Sequence, residues 1–411
     1  MCHVAVVRVV KTFSHPLESG TAGEDDLTNN KRWDALDVLR GLTIMLMLLN
    51  LSPGSWEHNF DFLEHAKWQG WTLIDMVAPA FLFCIGVAMP LSFERRSARG
   101  ASAGELLRHV WWRGLLLVAI GFFLNLYPRF DWETVRIPGV LQRIGLCYAL
   151  SGTFMILTAR RITGGAVSLR LLPLVIATMV IVVTYWALLY LVPVPGFAAP
   201  GFEPENNWTS YIDRAVIGVN HFFPYWPVDG KVVFDPEGLL STWPACINVL
   251  LGAMAGIAHA RGLLARPAMG FVIAGAALIG IAHTMAGVNP LIKNLWTGSF
   301  ALFSGGFALI LLGVLAPVSQ APGVGPLFWP ARIFGENPLL AYIIVFLVAP
   351  LMDANWFGTD AAPVTLRSGG QALFEQWMSP DWASLTFGLL ALLFLLAILL
   401  VCHRQRWILK L

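Results

Sequence analysis

Charged residues are scarce in this sequence. Asp, Glu, Lys and Arg make up 13% of the 411 residues, whereas hydrophobic residues make up 57%. An ordinary soluble domain contains about 25% charged residues, so the composition disfavours a water-soluble fold. The formal net charge is only +2, which argues against nucleic acid as a partner.

Cysteine is also rare, and the five cysteines are scattered singly. No C-x-x-C pair and no histidine at metal-ligand spacing accompanies them, so the sequence predicts no metal site and no disulfide framework. Cys84, Cys147 and Cys246 fall inside apolar segments. We expect them to be small core residues, as buried free cysteines usually are.

Two further signals are missing. The segment Met1–Val10 is followed by Lys11 and a polar, acidic stretch instead of the sustained apolar core of a secretory signal. We therefore expect residues 1–32 to form a cytoplasmic tail that precedes one membrane domain at 33–411. No convincing internal repeat is present, which mildly disfavours a transporter built from inverted repeats.

Long apolar runs are what the sequence does contain, and each approaches the roughly 20 residues that a membrane-spanning helix needs. They predict an all-α fold, a polytopic membrane helix bundle of about ten transmembrane helices. A long outer loop at 193–238 separates helices 5 and 6, and its aromatic content favours a folded cap. Glu336-Asn337-Pro338 lies near the start of the ninth span. The predicted spans are 35–52, 71–92, 106–126, 138–158, 169–192, 239–258, 267–288, 295–316, 333–352 and 382–402.

The distribution of basic residues predicts the orientation. With the N-terminus inside, 17 of the 27 Lys and Arg residues fall in inner segments or at the inner ends of spans, 7 fall in outer segments and 3 fall deeper within spans. Cytoplasmic loops carry this excess in membrane proteins. We therefore predict a multi-pass protein of the inner cell membrane with both termini in the cytoplasm and the lipid bilayer as a partner.

Several polar residues lie near the outer ends of the predicted spans. A charge at the bilayer centre costs about 2.5–3.5 kcal/mol, so a structural or functional role is expected for each of these residues. His65 lies in a loop, and Asp75 follows ten residues later in a span that must fold back beside it. Histidine suits general-base or acyl-carrier chemistry near neutral pH. Asp75 could orient this imidazole or satisfy a helix terminus.

Other polar residues of the spans leave two interpretations open. Asn50, at the outer end of the first span, could donate to a developing oxyanion or end the helix as a C-cap. Arg143, next to Gln142, could pair with Asp75 or hold a phosphate or carbonyl of a ligand. Pro79, Gly86 and Pro90 suggest a kinked second span beside a cavity, although a kink can also be plain packing.

A further set of residues is expected at the same outer level and is predicted to form the acceptor-binding surface: Asp235, Glu237, Lys293, Asn294 and Trp68.

Several sequence stretches, taken together, resemble the transmembrane acetyltransferases typified by heparan-alpha-glucosaminide N-acetyltransferase and its bacterial relatives. The resemblance covers roughly residues 33–411. The stretches that carry it are LDVLRG at 36–41, HAKWQGWTLID at 65–75, RIPGVLQRIG at 136–145, YIDR at 211–214, FDPEGLLST at 234–242, KNLWT at 293–297 and ENP at 336–338.

The resemblance implies a donor, an acceptor and two catalytic positions. In that family, acetyl-CoA is supplied from the cytosol and its acetyl group reaches an amine of glucosamine across the membrane. The active histidine of the family motif falls on His65, and its asparagine falls on Asn50. This chain shows no counterpart of the animal enzyme's N-terminal luminal domain, and Leu51-Ser52-Pro53-Gly54 replaces a glycine run, which favours a free or bacterial amino sugar, or a small glycan, over polymeric heparan.

The working hypothesis joins these observations into one mechanism. Acetyl-CoA, a cosubstrate and the only cofactor predicted, would enter from the cytoplasmic side, where Arg40 and Arg332 would meet its phosphates. His65, Asn50 and Asp75 would form the catalytic group, whether or not His65 carries the acetyl group covalently. An amino-sugar transporter and a membrane O-acetyltransferase of envelope glycans remain the alternatives, and a homodimer is left open.

Overall fold

The structure is a computed structural model that describes residues 33–161, 167–224, 227–359 and 363–409. The predicted cytoplasmic tail at 1–32 lies outside the described residues. Over the rest of the chain, helices predominate. Its α-helices are α1 Asp34–Leu51, α2 Val77–Ala98, α3 Ala103–Leu126, α4 Val140–Leu157, α5 Leu171–Leu191, α6 Trp208–Val216, α7 Leu239–Ala260, α8 Pro267–Met285, α9 Gly298–Val318, α10 Trp329–Glu336, α11 Pro338–Met352, α12 Leu366–Glu375 and α13 Pro380–Arg404.

The strands form one short hairpin. Strand β1 (Arg160–Arg161) pairs in antiparallel fashion with β2 (Val167–Ser168). The Ser97 hydroxyl, near the end of α2, accepts a hydrogen bond of 2.6 Å from the Val167 backbone N–H. The hairpin is therefore anchored to α2.

The helices confirm the predicted membrane architecture. Among the described residues, eight helices are long and apolar enough to cross a membrane, and a ninth span forms if α10 and α11 are counted together. These two helices meet at an angle of 74° at the Asn337-Pro338 step. The bend lies there because a proline disfavours helical backbone in the residue that precedes it. The predicted first span is the helix α1, which does not join this count because its 18 residues include Asp34, Asp37 and Arg40.

The chain divides into two compact units. Residues 59–314 form the central unit, and the described residues of 33–58 and 315–409 form the terminal unit. In the terminal unit, α10 packs on α1, and Arg332 of α10 donates to both carboxylate oxygens of Asp34 at 2.6 and 2.8 Å. Helices α11, α12 and α13 complete this unit.

In the central unit, glycines let α2 and α7 pack closely. A Cβ atom on Gly86 would lie 2.1 Å from the Val249 carbonyl oxygen, and one on Gly252 would lie 2.1 Å from the Phe83 carbonyl oxygen. Small residues permit such backbone approach between membrane helices. Helix α2 runs unbroken from Val77 to Ala98, with Pro90 inside it, so packing accounts for Gly86.

The predicted loop at 193–238 contains folded structure. Its helix α6 begins after Asn207, whose side chain accepts from the Ser210 backbone N–H as an N-cap. Thr209, Ser210 and Asp213 of this helix are buried. The segment therefore places polar side chains against the start of α7.

We predict that Gly86→Leu destabilises the protein, because the new side chain would overlap the backbone of α7. Overpacking of this kind typically costs about 1–3 kcal/mol. The measurement is the melting temperature of detergent-solubilised protein. Gly280→Leu is the matched control, since Gly280 also lies in a helix but a Cβ there would meet nothing within 4 Å. Equal melting temperatures for the two variants would contradict the packing argument.

Candidate active site

Asp75 organises the loop that carries His65. It lies in the 3-10 turn Ile74–Met76 that leads into α2, and it is fully buried. Its Oδ2 accepts backbone hydrogen bonds from Ala66 at 3.1 Å and Thr72 at 3.0 Å. The Thr72 hydroxyl closes the loop by donating to the Glu64 carbonyl at 2.6 Å. One carboxylate thus fixes both ends of the segment from residue 64 to residue 72.

His65, Asp75 and Lys293 meet at one point. His65 Nδ1 lies 2.7 Å from Asp75 Oδ1, Lys293 Nζ lies 3.2 Å from the same oxygen, and Nζ lies 2.8 Å from Nδ1 and 3.4 Å from Nε2. The donors that converge on Asp75 hold it as a carboxylate, so Nδ1 carries the proton that it donates to Oδ1. This assignment follows from the hydrogen-bond network. It leaves the imidazole lone pair on Nε2.

The surroundings favour a neutral imidazole. Burial lowers the pKa of His65 below its ordinary value of 6.5, and the Lys293 charge lowers it further, although Asp75 acts in the opposite direction. Burial also lowers the pKa of Lys293, whereas Asp75 and Glu237 oppose that shift. The site therefore combines a neutral base with an ammonium group whose acidity is increased.

A strained turn positions Lys293. The Lys293 carbonyl accepts a 2.8 Å hydrogen bond from the Trp296 backbone N–H, and Trp296 has a φ of 52°, which is rare for a bulky side chain. The buried Trp296 indole holds this conformation by donating to Asn248 of α7 at 2.9 Å. Such strain persists only where surrounding contacts enforce it, so the position of Lys293 is fixed from α7.

A second charged cluster lies at the start of α7. Arg136 donates to both oxygens of Asp235, at 2.9 and 2.7 Å, and also to Glu237. The backbone N–H groups of Phe223 and Glu237 donate to Asp235 as well, each at 2.8 Å. Asp235 is therefore fully engaged in holding this loop. Although burial opposes the shift, the charges of Arg136, Arg143 and Lys293 lower the pKa of Glu237.

Arg143 lies between these clusters and keeps unused donors. Its Nη2 donates to Ser241 Oγ at 2.5 Å, and its guanidinium stacks on the Trp296 ring at 4.7 Å. The residue is only 3% exposed, yet Nε and Nη1 find no acceptor within the described parts of the chain. Of the two roles left open for Arg143, the pairing with Asp75 is not formed, since no carboxylate among the described residues lies within 4.0 Å of the guanidinium.

Asp213 of α6 caps α7 from outside the helix. Its Oδ1 accepts from the Leu239 backbone N–H at 2.8 Å, and a Cβ on Gly238 would lie 1.7 Å from Oδ2, so only glycine fits there. Oδ2 has no hydrogen-bond partner among the described residues. Burial raises the pKa of Asp213 to about 7, although the Leu239 N–H acts in the opposite direction.

The remaining predicted residues are distributed as follows. Gln142 donates to the Ile137 carbonyl at 3.2 Å, and Trp68 donates to the Phe202 carbonyl at 2.8 Å. Asn294, which follows Lys293 in the sequence, is buried. The other three lie in the terminal unit: Asn50 in the last turn of α1, Arg40 bonded to Asp37 and Gly335, and Arg332 bonded to Asp34, Gly325 and Ser319.

Sequence reasoning missed four residues of this site. None of the four was predicted as a site residue, although all of them lie in the family-like stretches and Asp213 also lies in the long outer loop: Arg136, Asp213, Ser241 and Trp296. Arg136 lies at the membrane boundary opposite two acidic residues, and this charge complementarity was a usable signal. The strained Trp296 had no signal in the sequence.

We predict that Asp213 makes stability depend on pH. Its folded pKa of about 7 lies above its unfolded value of 3.8, so the folded state is penalised progressively as pH rises from about 4 to 7. The melting temperature in detergent should therefore fall between pH 5 and pH 8 by more in the wild type than in Asp213→Asn. An identical decrease in both proteins would contradict the assignment.

We also predict that the pKa of His65 lies below 6.5, so that most of the imidazole is still neutral at pH 6.5. Diethylpyrocarbonate modifies neutral imidazole, so the pH midpoint for modification of His65, followed by mass spectrometry, should lie below 6.5 because the pKa is lowered. Lys293→Met should move this midpoint upward, since it removes a positive charge. The exposed His58 in the same digest controls for the reagent, and an unchanged midpoint in the variant would refute the electrostatic role.

Comparison with known proteins places this chain in a family. Residues 32–212 match the family model described as heparan-alpha-glucosaminide N-acetyltransferase, catalytic. The human heparan-alpha-glucosaminide N-acetyltransferase is 31% identical over 358 residues, covering 76% of this chain and 52% of the human one. The mouse enzyme is 29% identical over 373 residues, covering 80% of this chain and 55% of the mouse one. This chain spans about half the length of these curated relatives; it belongs to the family of the heparan-alpha-glucosaminide N-acetyltransferases.

Proposed function

We propose that this membrane protein transfers the acetyl group of acetyl-CoA to the amine of a glucosamine-type sugar, with His65 at the reacting centre. The observation that carries the proposal is the contact of His65 Nδ1 with the buried Asp75 carboxylate at 2.7 Å. This contact leaves the lone pair of the imidazole on Nε2. Family membership supports acetyl transfer to the nitrogen of an amino sugar, and acetyl-CoA is the donor that we propose.

The imidazole performs one of two tasks at the thioester. As a general base, Nε2 takes the proton of the attacking amine while the new C–N bond forms. As a nucleophile, it receives the acetyl group first and passes it to the amine afterwards. In both routes Asp75 stabilises the positive charge on the ring. Its burial strengthens that interaction, because opposite charges attract more strongly at low dielectric.

The acceptor would be held by the exposed side of the acidic cluster. Glu237 keeps its carboxylate next to Arg136, within electrostatic reach of His65 and Lys293. A carboxylate at this place suits an ammonium or a hydroxyl-rich sugar. Asp235 supports Glu237 through Arg136, and the Trp68 ring, in contact with Phe234 at 5.0 Å, offers an apolar face to a sugar.

The donor would use the unpaired arginine. Arg143 presents Nε and Nη1 without acceptors among the described residues, and a carbonyl or phosphate oxygen of acetyl-CoA would satisfy them. Gln142 supports the start of the same helix. Arg40 and Arg332 remain proposed phosphate contacts, but each already donates to carboxylate and carbonyl oxygens, so a phosphate would have to replace those partners. Asn50 remains the proposed oxyanion donor.

Orientation makes the membrane part of the proposed reaction. With the N-terminus in the cytoplasm, the loops that carry His65 and Lys293 lie at the outer face, whereas acetyl-CoA comes from the inner face. The distribution of basic residues supports this arrangement. The acetyl thioester would then enter between helices of the inner cell membrane.

We expect purified protein to convert labelled acetyl-CoA and glucosamine into labelled N-acetylglucosamine. His65→Ala should lower the rate by at least about 100-fold, because a positioned base or nucleophile contributes a factor of this size. His58→Ala is the matched control, since His58 is exposed and should leave the rate unchanged.

Product analysis in this assay, together with an uptake measurement in vesicles, discriminates the rival functions. A wild-type rate in His65→Ala would overturn the proposed mechanism. Acetylation of hydroxyl acceptors without N-acetylation would identify an O-acetyltransferase. Uptake of labelled glucosamine into vesicles in the absence of acetyl-CoA would identify a transporter.

A further inference from the structure

Lys293 is the charged group that lies next to both nitrogens of His65. Its Nζ is 2.8 Å from Nδ1 and 3.4 Å from Nε2, so it lies over the ring and close to the reacting nitrogen. Its other contact, with Asp75 Oδ1 at 3.2 Å, uses only part of its capacity, because an ammonium group has three N–H bonds. An ammonium at this distance also touches whatever is bonded to Nε2.

A proton donor at this place would assist the cleavage of a thioester. When the C–S bond of an acyl thioester breaks, the electron pair goes to sulfur, and an alkyl thiol has a pKa of about 8.5 or above. In a buried site the resulting thiolate is poorly solvated. The reaction therefore gains from an acid that delivers a proton to sulfur as the bond breaks.

We propose that Lys293 is a catalytic residue that protonates the departing thiolate of the acyl donor and then recovers its proton from His65. This inference rests on the proposed acetyl transfer. It assigns to Lys293 a role in the chemical step, in addition to the ion pair with Asp75.

The proton balance closes within the pair. The acceptor amine forms a C–N bond with the acetyl carbon and loses one proton to Nε2 of His65. The C–S bond breaks, and sulfur takes one proton from the Lys293 ammonium, which gives free thiol and a neutral lysine amine. The imidazolium then returns its proton to Lys293 across the 3.4 Å separation. Neither residue is altered after one turnover, and no outside acid is consumed.

The charges around Lys293 suit such an acid. Asp75 and Glu237 face it and keep it protonated, while burial and the nearby Arg143 charge lower its pKa. Its pKa thereby moves from 10.5 towards that of a thiol, and proton transfer between groups of similar pKa is efficient. The carbonyl of Lys293 is anchored by the Trp296 turn, so the side chain starts from a fixed point.

The alternative is that Lys293 only neutralises Asp75. An arginine at this position would keep that ion pair, but it would not release a proton, because the guanidinium pKa lies above 12. Lys293→Arg therefore separates an ion-pairing role from a proton-donating role. Lys293→Met removes both.

The experiment compares two acetyl donors with glucosamine as acceptor, and it measures thiol release and N-acetylglucosamine formation. One donor is acetyl-CoA, whose alkyl thiolate needs protonation. The other is S-acetyl-4-nitrothiophenol, whose aryl thiolate is a stable anion and leaves without an acid. We expect Lys293→Met and Lys293→Arg to lose at least about 100-fold with acetyl-CoA but less than about 5-fold with the aryl thioester.

Each outcome has one meaning. An equal loss with both donors, or wild-type rates in Lys293→Arg with acetyl-CoA, overturns the assignment of Lys293 as the acid. If wild-type protein forms N-acetylglucosamine with neither donor, the proposed function itself is overturned. Lys67→Met is the matched control, because Lys67 is exposed and lies two residues from His65; it should behave as wild type with both donors. If Lys293→Met fails to fold, as judged by size-exclusion chromatography, Lys293→Arg carries the same test.

Discussion

The candidate site depends on one buried carboxylate. Asp75 stands at the first turn of a membrane helix with no solvent exposure, and an isolated charge in such a place would be unstable. It is tolerated because two backbone N–H groups, an imidazole and an ammonium converge on it. The same bonds shape the loop from residue 64 to residue 72, orient His65 and attract Lys293, so loop structure and chemistry share a single cause.

The helices around Asp75 explain how its partners reach it. The close approach of α2 and α7 at Gly86 and Gly252 places the first turn of α7 near the loop of His65. Glu237 precedes that turn, and Asn248, further along α7, holds the indole of Trp296. Since Trp296 lies three residues after Lys293, the packing of two helices fixes the position of the lysine. Glycine spacing within the membrane therefore contributes indirectly to the geometry of the site.

The sequence predicted the local features of this arrangement and missed the distant ones. The pairing of His65 with Asp75 was expected because ten residues separate them and a loop must return to the span. The Asn337-Pro338 step was noted near the start of the ninth span, but the 74° bend there was not predicted. By contrast, Arg136 and Asp235 are 99 residues apart, and Asp213 acts on the start of another helix. Such contacts depend on which helices are neighbours, and hydropathy alone does not specify this. Gly86 illustrates the same limit, because its role is set by the α7 backbone.

The charges of the central unit also distinguish groups that hold the fold from groups that await a ligand. Asp75 pairs with Lys293, and Arg136 pairs with Asp235 and Glu237, so each of these charges is compensated. Arg143 differs from these paired charges, because it is buried, stacked on Trp296 and left with three N–H bonds that have no acceptor among the described residues. Leaving buried donors unsatisfied costs about 1–3 kcal/mol or more for a charged group. The protein bears this cost next to Ser241 and Trp296, where an oxygen-rich donor molecule would remove it. This is the physical reason for proposing that Arg143 binds the donor and that Asp235 belongs to the scaffold.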